Sequence, residues 1–280
     1  MRTTIDDYKA RAGRLDLTGI DFARFRADPL DDEALRCLEY MHDIELHTVC
    51  YLRDLLLTPA HRDPDVTAFL SCWVFEELWH GEAIAEVLDA HGRPAGRERV
   101  APLREGRRRR DGRELALHLA SASVLGHHFV AVHMAWGAVN EWSTQAGYAR
   151  LSKQAGHPVL TDLLGRIMRQ EGRHVDFYAT EAKRRLEVDR KTRALTRAAL
   201  RRFWRPVGSG VMPDAEVAFL ARYLFGGDEG RARARRIDRQ VDRLPGLEGL
   251  RLIEGSVDRY AGPPAPGRAG PCTLRRDSAA

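Results

Sequence analysis

An all-α protein built on a four-helix bundle, with additional helices toward its C-terminus, is what this 280-residue sequence predicts. Three observations carry the prediction. Helical signals dominate the chain, and no stretch shows the strict alternation of a half-buried strand. Cap and breaker residues divide the first two thirds of the chain into four long helical segments. The first pair of these segments carries the same arrangement of acidic and histidine residues as the second pair. Residues 1–260 are accordingly read as one helical domain, long enough to bury a substantial core. Residues 261–280, rich in Pro, Gly and Ala, read as a disordered tail.

Taken in order, Asp31 and Asp32 cap a first helix that runs to about Leu57, where Thr58-Pro59 closes it. Asp63-Pro64-Asp65 opens a second helix, because proline is preorganised for the first helical position and its missing N–H costs nothing there. That helix continues to about His91 and stops at Gly92. Residues 93–112 read as a polar connection carrying Pro94, Pro102 and several glycines. A third helical stretch covers 113–154, with Gly126 as a candidate break. Gly156-His157-Pro158 turns the chain into a fourth helix that ends near Leu186. Shorter helices follow over 190–204, 213–225 and 230–244.

Composition narrows the function classes. Hydrophobic residues make up 44% and charged residues 30%, the balance of a soluble globular protein. Only Lys9, Lys153, Lys183 and Lys191 are lysines among 45 basic residues, and the net charge of +5 would suit an acidic partner. The densest basic runs, 107–110 and Arg231, Arg233, Arg235 and Arg236, lack interleaved aromatics, so nucleic acid is not the expected partner. Cys37, Cys50, Cys72 and Cys272 show no metal-ligand spacing and no disulfide framework, which fits a reducing cytoplasm. The first fifteen residues lack an apolar stretch, so no signal peptide is expected. Residues 115–140 contain no Asp, Glu, Lys or Arg, a length that could span a bilayer. They also carry four histidines and lead directly into the candidate site, so they read as a helix buried in the bundle rather than inserted in a membrane.

The chemistry lies in two Glu-x-x-His motifs, Glu77 with His80 on the second helix and Glu171 with His174 on the fourth. Positions i and i+3 share one helix face, so a carboxylate and an imidazole can reach one metal ion. Each motif is preceded by a helix carrying an embedded glutamate, Glu45 on the first and Glu141 on the third. Glu141 sits in one of the most apolar stretches of the chain, where an unpaired carboxylate is costly to bury. Glu76 competes with Glu77, being i, i+4 to His80. The fourth helix has only Glu171, and matching its geometry selects Glu77.

One Glu from each of two helices plus Glu-x-x-His from two others is the ligand pattern of ferritin-like di-metal bundles. Carboxylate and imidazole donors without a thiolate suit iron or manganese. By geometry, Glu77 and Glu171 would bridge two ions, with Glu45, His80, Glu141 and His174 as terminal ligands.

The runs Glu76-Glu77-Leu78-Trp79-His80-Gly81-Glu82, Glu141-Trp142-Ser143-Thr144 and Glu171-Gly172-Arg173-His174 with Tyr178 resemble the soluble acyl-[acyl carrier protein] desaturases of the ferritin-like superfamily. The resemblance spans roughly residues 35–255 and points to a bacterial form. It departs from plant-type members at Gln170, where those carry an acidic residue, and at Leu78-Trp79, where a more polar pair is usual.

The resemblance implies a di-iron enzyme (Fe2+/Fe3+) with O2 as co-substrate, introducing a double bond into an acyl chain on acyl carrier protein. It implies an external electron donor such as ferredoxin, because the sequence holds no nucleotide fingerprint and no cluster-type cysteines, and it implies a homodimer. It places Thr144 beside the oxygen-binding side of the cluster and Tyr178, two turns beyond Glu171 on the same face, as a catalytic candidate. Other readings stay open: a ferritin-like C-hydroxylase or N-oxygenase, an iron-handling ferroxidase, or a helical nucleic-acid-binding module.

Overall fold

Helix starts leave backbone amides without intrahelical partners, and in this chain aspartates supply the missing acceptor at several of them. A computed structural model of the protein describes residues 4–261, apart from the side chains at 106–111, 113 and 114. Residues 262–280, including Cys272 and nearly all of the expected tail, lie outside the described residues, as do the side chains of the run 107–110.

Two short helices come first, α1 (Ile5–Lys9), capped by Thr4, and α2 (Arg24–Ala27). The Asp31 carboxylate accepts from the Ala34 amide and starts α3 (Asp32–Leu56). After a 3-10 turn at Pro59–Arg62, Asp63 caps α4 (Pro64–Ala90), whose first residue is the expected proline. The chain then forms α5 (Gly96–Leu125), a 3-10 turn at Gly126–His128 and α6 (Phe129–Ala155). Gly156, at φ 62°, ends α6 in the left-handed conformation that glycine adopts without strain. Two residues later α7 (Pro158–Val188) begins, followed by α8 (Arg190–Phe203), capped by Asp189. The last helices are α9 (Asp214–Phe225), α10 (Gly227–Val241) and α11 (Leu252–Ala261). The described residues are therefore all-α, with no strand among them.

Two sequence expectations need correction. Residues 93–112 are not a connection; all but the first few belong to α5. Arg, Glu, Leu and Ala there are good helix formers, and a single Pro102 removes one backbone bond on a helix open to water. Contacts with α3 anchor its start: the Gly96 amide donates to His42 Nε2 at 2.9 Å, and Arg99 bonds Asp43 at 2.8 Å. Nor is the uncharged stretch 115–140 one buried helix. Leu117 and Val124 at the end of α5 are 69% and 88% exposed, whereas Phe129 onward packs inside. The break falls at Gly126, φ 53°. The stretch Leu115–Ala155 holds the one window, among the described residues, long and apolar enough to cross a membrane, with 28% of that window buried. Helices α1, α2 and α11 carry no strong sequence signal. The start of α11 is capped from a distance, by Asp238 of α10 accepting from the Ile253 and Glu254 amides at 3.0 and 2.9 Å.

The helices α3 and α4 pack along one another as one hairpin, and α6 and α7 as a second. The buried apolar cluster between them draws residues from every helix, from Tyr8 and Phe25 at one end of the chain to Leu252 and Ile253 at the other. Burying that apolar surface is the dominant driving force for the fold. It also leaves the middle of the four long helices facing each other, and there the core turns polar.

Candidate metal centre

Each of the four helices of the two hairpins contributes to a cluster of six buried side chains at the middle of the bundle. Glu45 comes from α3, Glu77 and His80 from α4, Glu141 from α6, Glu171 and His174 from α7, and none is more than 6% exposed. The structure gathers them into two groups, Glu45, Glu77, His80 and Glu171 in one, and Glu77, Glu141, Glu171 and His174 in the other. In each group the ligand atoms lie within 4.8 Å of one another. Glu77 and Glu171 belong to both.

His80 Nδ1 stands 3.3 Å from Glu171, 3.7 Å from Glu77 and 3.9 Å from Glu45. His174 Nδ1 stands 3.1 Å from Glu77 and from Glu171, and 3.9 Å from Glu141. Both rings thus aim the same nitrogen at the shared carboxylates. His80 Nδ1 and Glu171 Oε1 are fully buried with no hydrogen-bond partner, a costly arrangement for polar atoms that a bound cation would relieve. The residues fit a metal ion in each group.

Left to protons alone, the cluster balances its charge internally. Burial, reinforced by Glu77, pushes the Glu45 carboxyl well above the usual range. Burial, reinforced by Glu171 and Glu77, does the same to Glu141. Burial also opposes ionisation of Glu77 and Glu171, but their close neighbours win there. Glu45, His174 and His80 hold Glu77 well below its ordinary value, and the two histidines hold Glu171 down against the charge of Glu77. Burial disfavours the His80 imidazolium, yet Glu171 and Glu77 raise it to about 9. His174 is raised well above its ordinary value against burial, by Tyr8, Glu171, Glu76 and Glu77. The shifts run toward internal balance, the two histidines toward their charged forms and Glu45 and Glu141 toward their protonated ones. Divalent cations would replace those protons, so binding should release protons and strengthen with pH.

A second layer orients four of these six. The Tyr148 phenol donates to Glu45, and Trp73 Nε1 donates to Glu141 at 3.1 Å. The outward ring nitrogens are held too: His174 Nε2 lies 2.9 Å from Glu76, and His80 Nε2 lies 2.9 Å from Gln170. Glu76, a rival ligand by spacing, therefore serves the histidine of the opposite hairpin. Sequence spacing marks Glu76 and Gln170 as the residues before each shared glutamate. It carries no signal for Tyr8, Trp73 or Tyr148, which reach the centre through tertiary packing.

Thr144 lies, with Glu45 and Ser143, in the wall of a partly open cavity. Apart from these and a few other polar groups its lining is apolar, with Met41, Ile44, Val217, Leu220, Leu224 and Phe225 prominent. Tyr178 is on the other side of the cluster. Its ring presses on Gly137, packs edge-on to Phe69 at 4.8 Å and to Trp73 at 6.2 Å, and contributes nothing to the cavity wall. Of the basic clusters, Arg231 pairs with Asp258 at 2.6 Å and Arg233 with Glu229 at 3.5 Å, which spends part of that charge inside the fold. Comparison with protein-family models, with curated proteins and with solved structures returned no match.

Proposed function

We propose that this chain is a ferritin-like di-iron protein that uses O2 to oxidise an apolar substrate. The leading reaction is insertion of a double bond into an acyl chain carried on acyl carrier protein. The observation that carries the reading is the apolar cavity with Glu45 and Thr144 in its wall. A cluster that only stored or moved iron would have no use for an apolar space beside its ligands, and a pocket with this lining suits an apolar small molecule. The resemblance of the Glu77–His80, Glu141–Thr144 and Glu171–His174 segments to the acyl-carrier desaturases supports the same substrate class.

Glu45, Glu77, His80 and Glu171 would hold one ion, and Glu77, Glu141, Glu171 and His174 the other. Bound iron supplies the reduction of O2 that cleavage of an unactivated C–H bond requires. The chain's own residues do the rest. The apolar lining binds and aligns an alkyl chain and keeps bulk water from the oxidising side. Tyr148 and Trp73 fix the Glu45 and Glu141 carboxylates through hydrogen bonds. The Thr144 hydroxyl, in the cavity wall beside Glu45, is placed to hold or pass a proton at its Oγ1. Electrons come from outside, from a donor such as ferredoxin, for which a net charge of +5 is favourable.

The second reading, hydroxylation or N-oxygenation on the same centre, differs only in the bond made. The scarcity of polar groups in the lining favours a plain alkyl segment over an amine. The test is to load the protein with Fe2+, supply acyl carrier protein substrates, ferredoxin, its reductase and O2, and analyse the acyl products by mass spectrometry. A mass loss of two hydrogens that depends on O2 supports desaturation. A mass gain of one oxygen selects the second reading. Iron bound with no O2-dependent product sinks both.

A further inference from the structure

The two halves of the cluster look alike at the ligands and differ one layer out. His174 Nε2 faces a carboxylate, Glu76, at 2.9 Å, and His80 Nε2 faces a neutral amide, Gln170, at 2.9 Å. Both partners are buried, Glu76 completely and Gln170 to 8% exposure.

The N-terminal segment decides which partner stands where. The Gly13 amide donates to Glu76 Oε1 at 3.2 Å, and the Gly13 carbonyl accepts from Gln170 Nε2 at 3.1 Å. A carbonyl cannot donate, so it holds the amide nitrogen of Gln170 toward itself and turns Oε1 to His80. That oxygen only accepts, so His80 carries its proton on Nε2 and turns Nδ1 inward. An acidic residue at 170 would set a carboxylate against the Gly13 carbonyl. Glu76, by contrast, receives only donors: the Tyr8 hydroxyl at 2.7 Å, the Gly13 amide, Arg173 and His174. Arg173 shares its charge, yet an ion-paired carboxylate remains a stronger acceptor than an amide.

We propose that the two metal positions are unequal. The His174 position, backed by Glu76, is the tight one that fills first, and the His80 position, backed by Gln170, is the weaker and exchangeable one. The inference rests on the reading of the cluster as a two-metal centre. A carboxylate behind a ligating imidazole makes it a better donor, and loss of such a partner costs roughly 10–100-fold in metal affinity. A difference of that order is expected between the two positions.

The probe is Co2+, titrated anaerobically into metal-free full-length protein and followed by calorimetry and by proton NMR of the cobalt-shifted imidazole N–H signals. At one equivalent a single such signal should appear, with the second emerging only as the second equivalent binds. Glu76→Gln should shift the first signal and weaken the first step by roughly 10–100-fold. Gln170→Leu should leave the first step and its signal in place and alter only the second. Two signals rising together at one equivalent, or a first step weakened by Gln170→Leu, would overturn the proposal while leaving the metal centre intact. Should Glu76→Gln not fold by circular dichroism, the wild-type and Gln170→Leu spectra still decide. No cobalt bound by the wild type, or two equivalents still bound by Glu171→Ala, would instead refute the two-metal reading beneath it.

Discussion

Gly137→Ala puts a methyl group where the Tyr178 ring already stands. An added Cβ at Gly137 would lie 2.3 Å from Cε1, 2.4 Å from Cδ1 and 2.7 Å from Cζ of Tyr178. All three are closer than any real carbon contact, and they belong to a rigid ring rather than to the end of a flexible chain. The ring has no room to withdraw, being 2% exposed and hemmed by Phe69, Trp73 and His133. Overpacking of this kind costs about 1–3 kcal/mol. Alanine in the middle of α6 would return up to about 1 kcal/mol of helix propensity. The net expectation is a loss of about 1–2 kcal/mol, which for a chain of this size lowers Tm by about 2–8 °C. Thermal unfolding of Gly137→Ala, with and without Tyr178→Leu, checks it. Removing the ring should relieve the clash, so that Gly137→Ala becomes neutral or stabilising in that background. A single Gly137→Ala variant that melts higher than the wild type, as helix propensity alone would have it, refutes the packing argument.

Three more outcomes follow from the centre and the cavity. Glu171 belongs to both ligand groups and Glu45 to one, so Glu171→Ala should lose both ions and Glu45→Ala chiefly one, read by metal analysis after dialysis; equal losses would contradict the shared-ligand geometry. Metal-free protein should lose stability as pH rises from about 6.5 to about 9. The His80 imidazolium is raised to about 9 in the fold, so its contribution is complete below the ordinary value and disappears as pH passes the folded one. The shift corresponds to about 3 kcal/mol, and a denaturant midpoint unchanged between pH 6.5 and 9.5 would refute it. Ala221→Trp fills the apolar cavity from α9 and replaces no ligand. It should leave metal content unchanged while weakening binding of a fluorescent fatty acyl probe by at least tenfold, and undiminished binding would place the substrate elsewhere.

What could be read from the sequence was local. Aspartates at 31 and 63, prolines at 64 and 158 and glycines at 92 and 156 mark helix ends because capping and backbone conformation act over one turn. Four of the six ligand candidates were legible for the same reason, since i, i+3 spacing on a helix fixes a shared face whatever the helix packs against; Glu45 and Glu141 followed from their place on the helix before each motif. The propensity of 96–112 for helix was also present in its Arg, Glu and Leu content, but polarity and Pro102 outweighed it until Asp43, His42 and Leu46 of α3 supplied anchors.

Tertiary structure alone decided the rest. Nothing in the chain between residues 8 and 76 announces that the Tyr8 hydroxyl will meet Glu76, or that the backbone N–H and C=O of Gly13 will serve Glu76 and Gln170. Hydrogen bonds between segments far apart in sequence depend on how whole helices pack, and no periodicity records that. The cavity is of the same kind, since α3, α6, α9 and α11 wall it together and none of them shows it separately. Residue types at helical spacing determined which side chains can share an ion. The packing of four helices and the path of the N-terminal segment decided which partner backs each histidine and what space opens beside them.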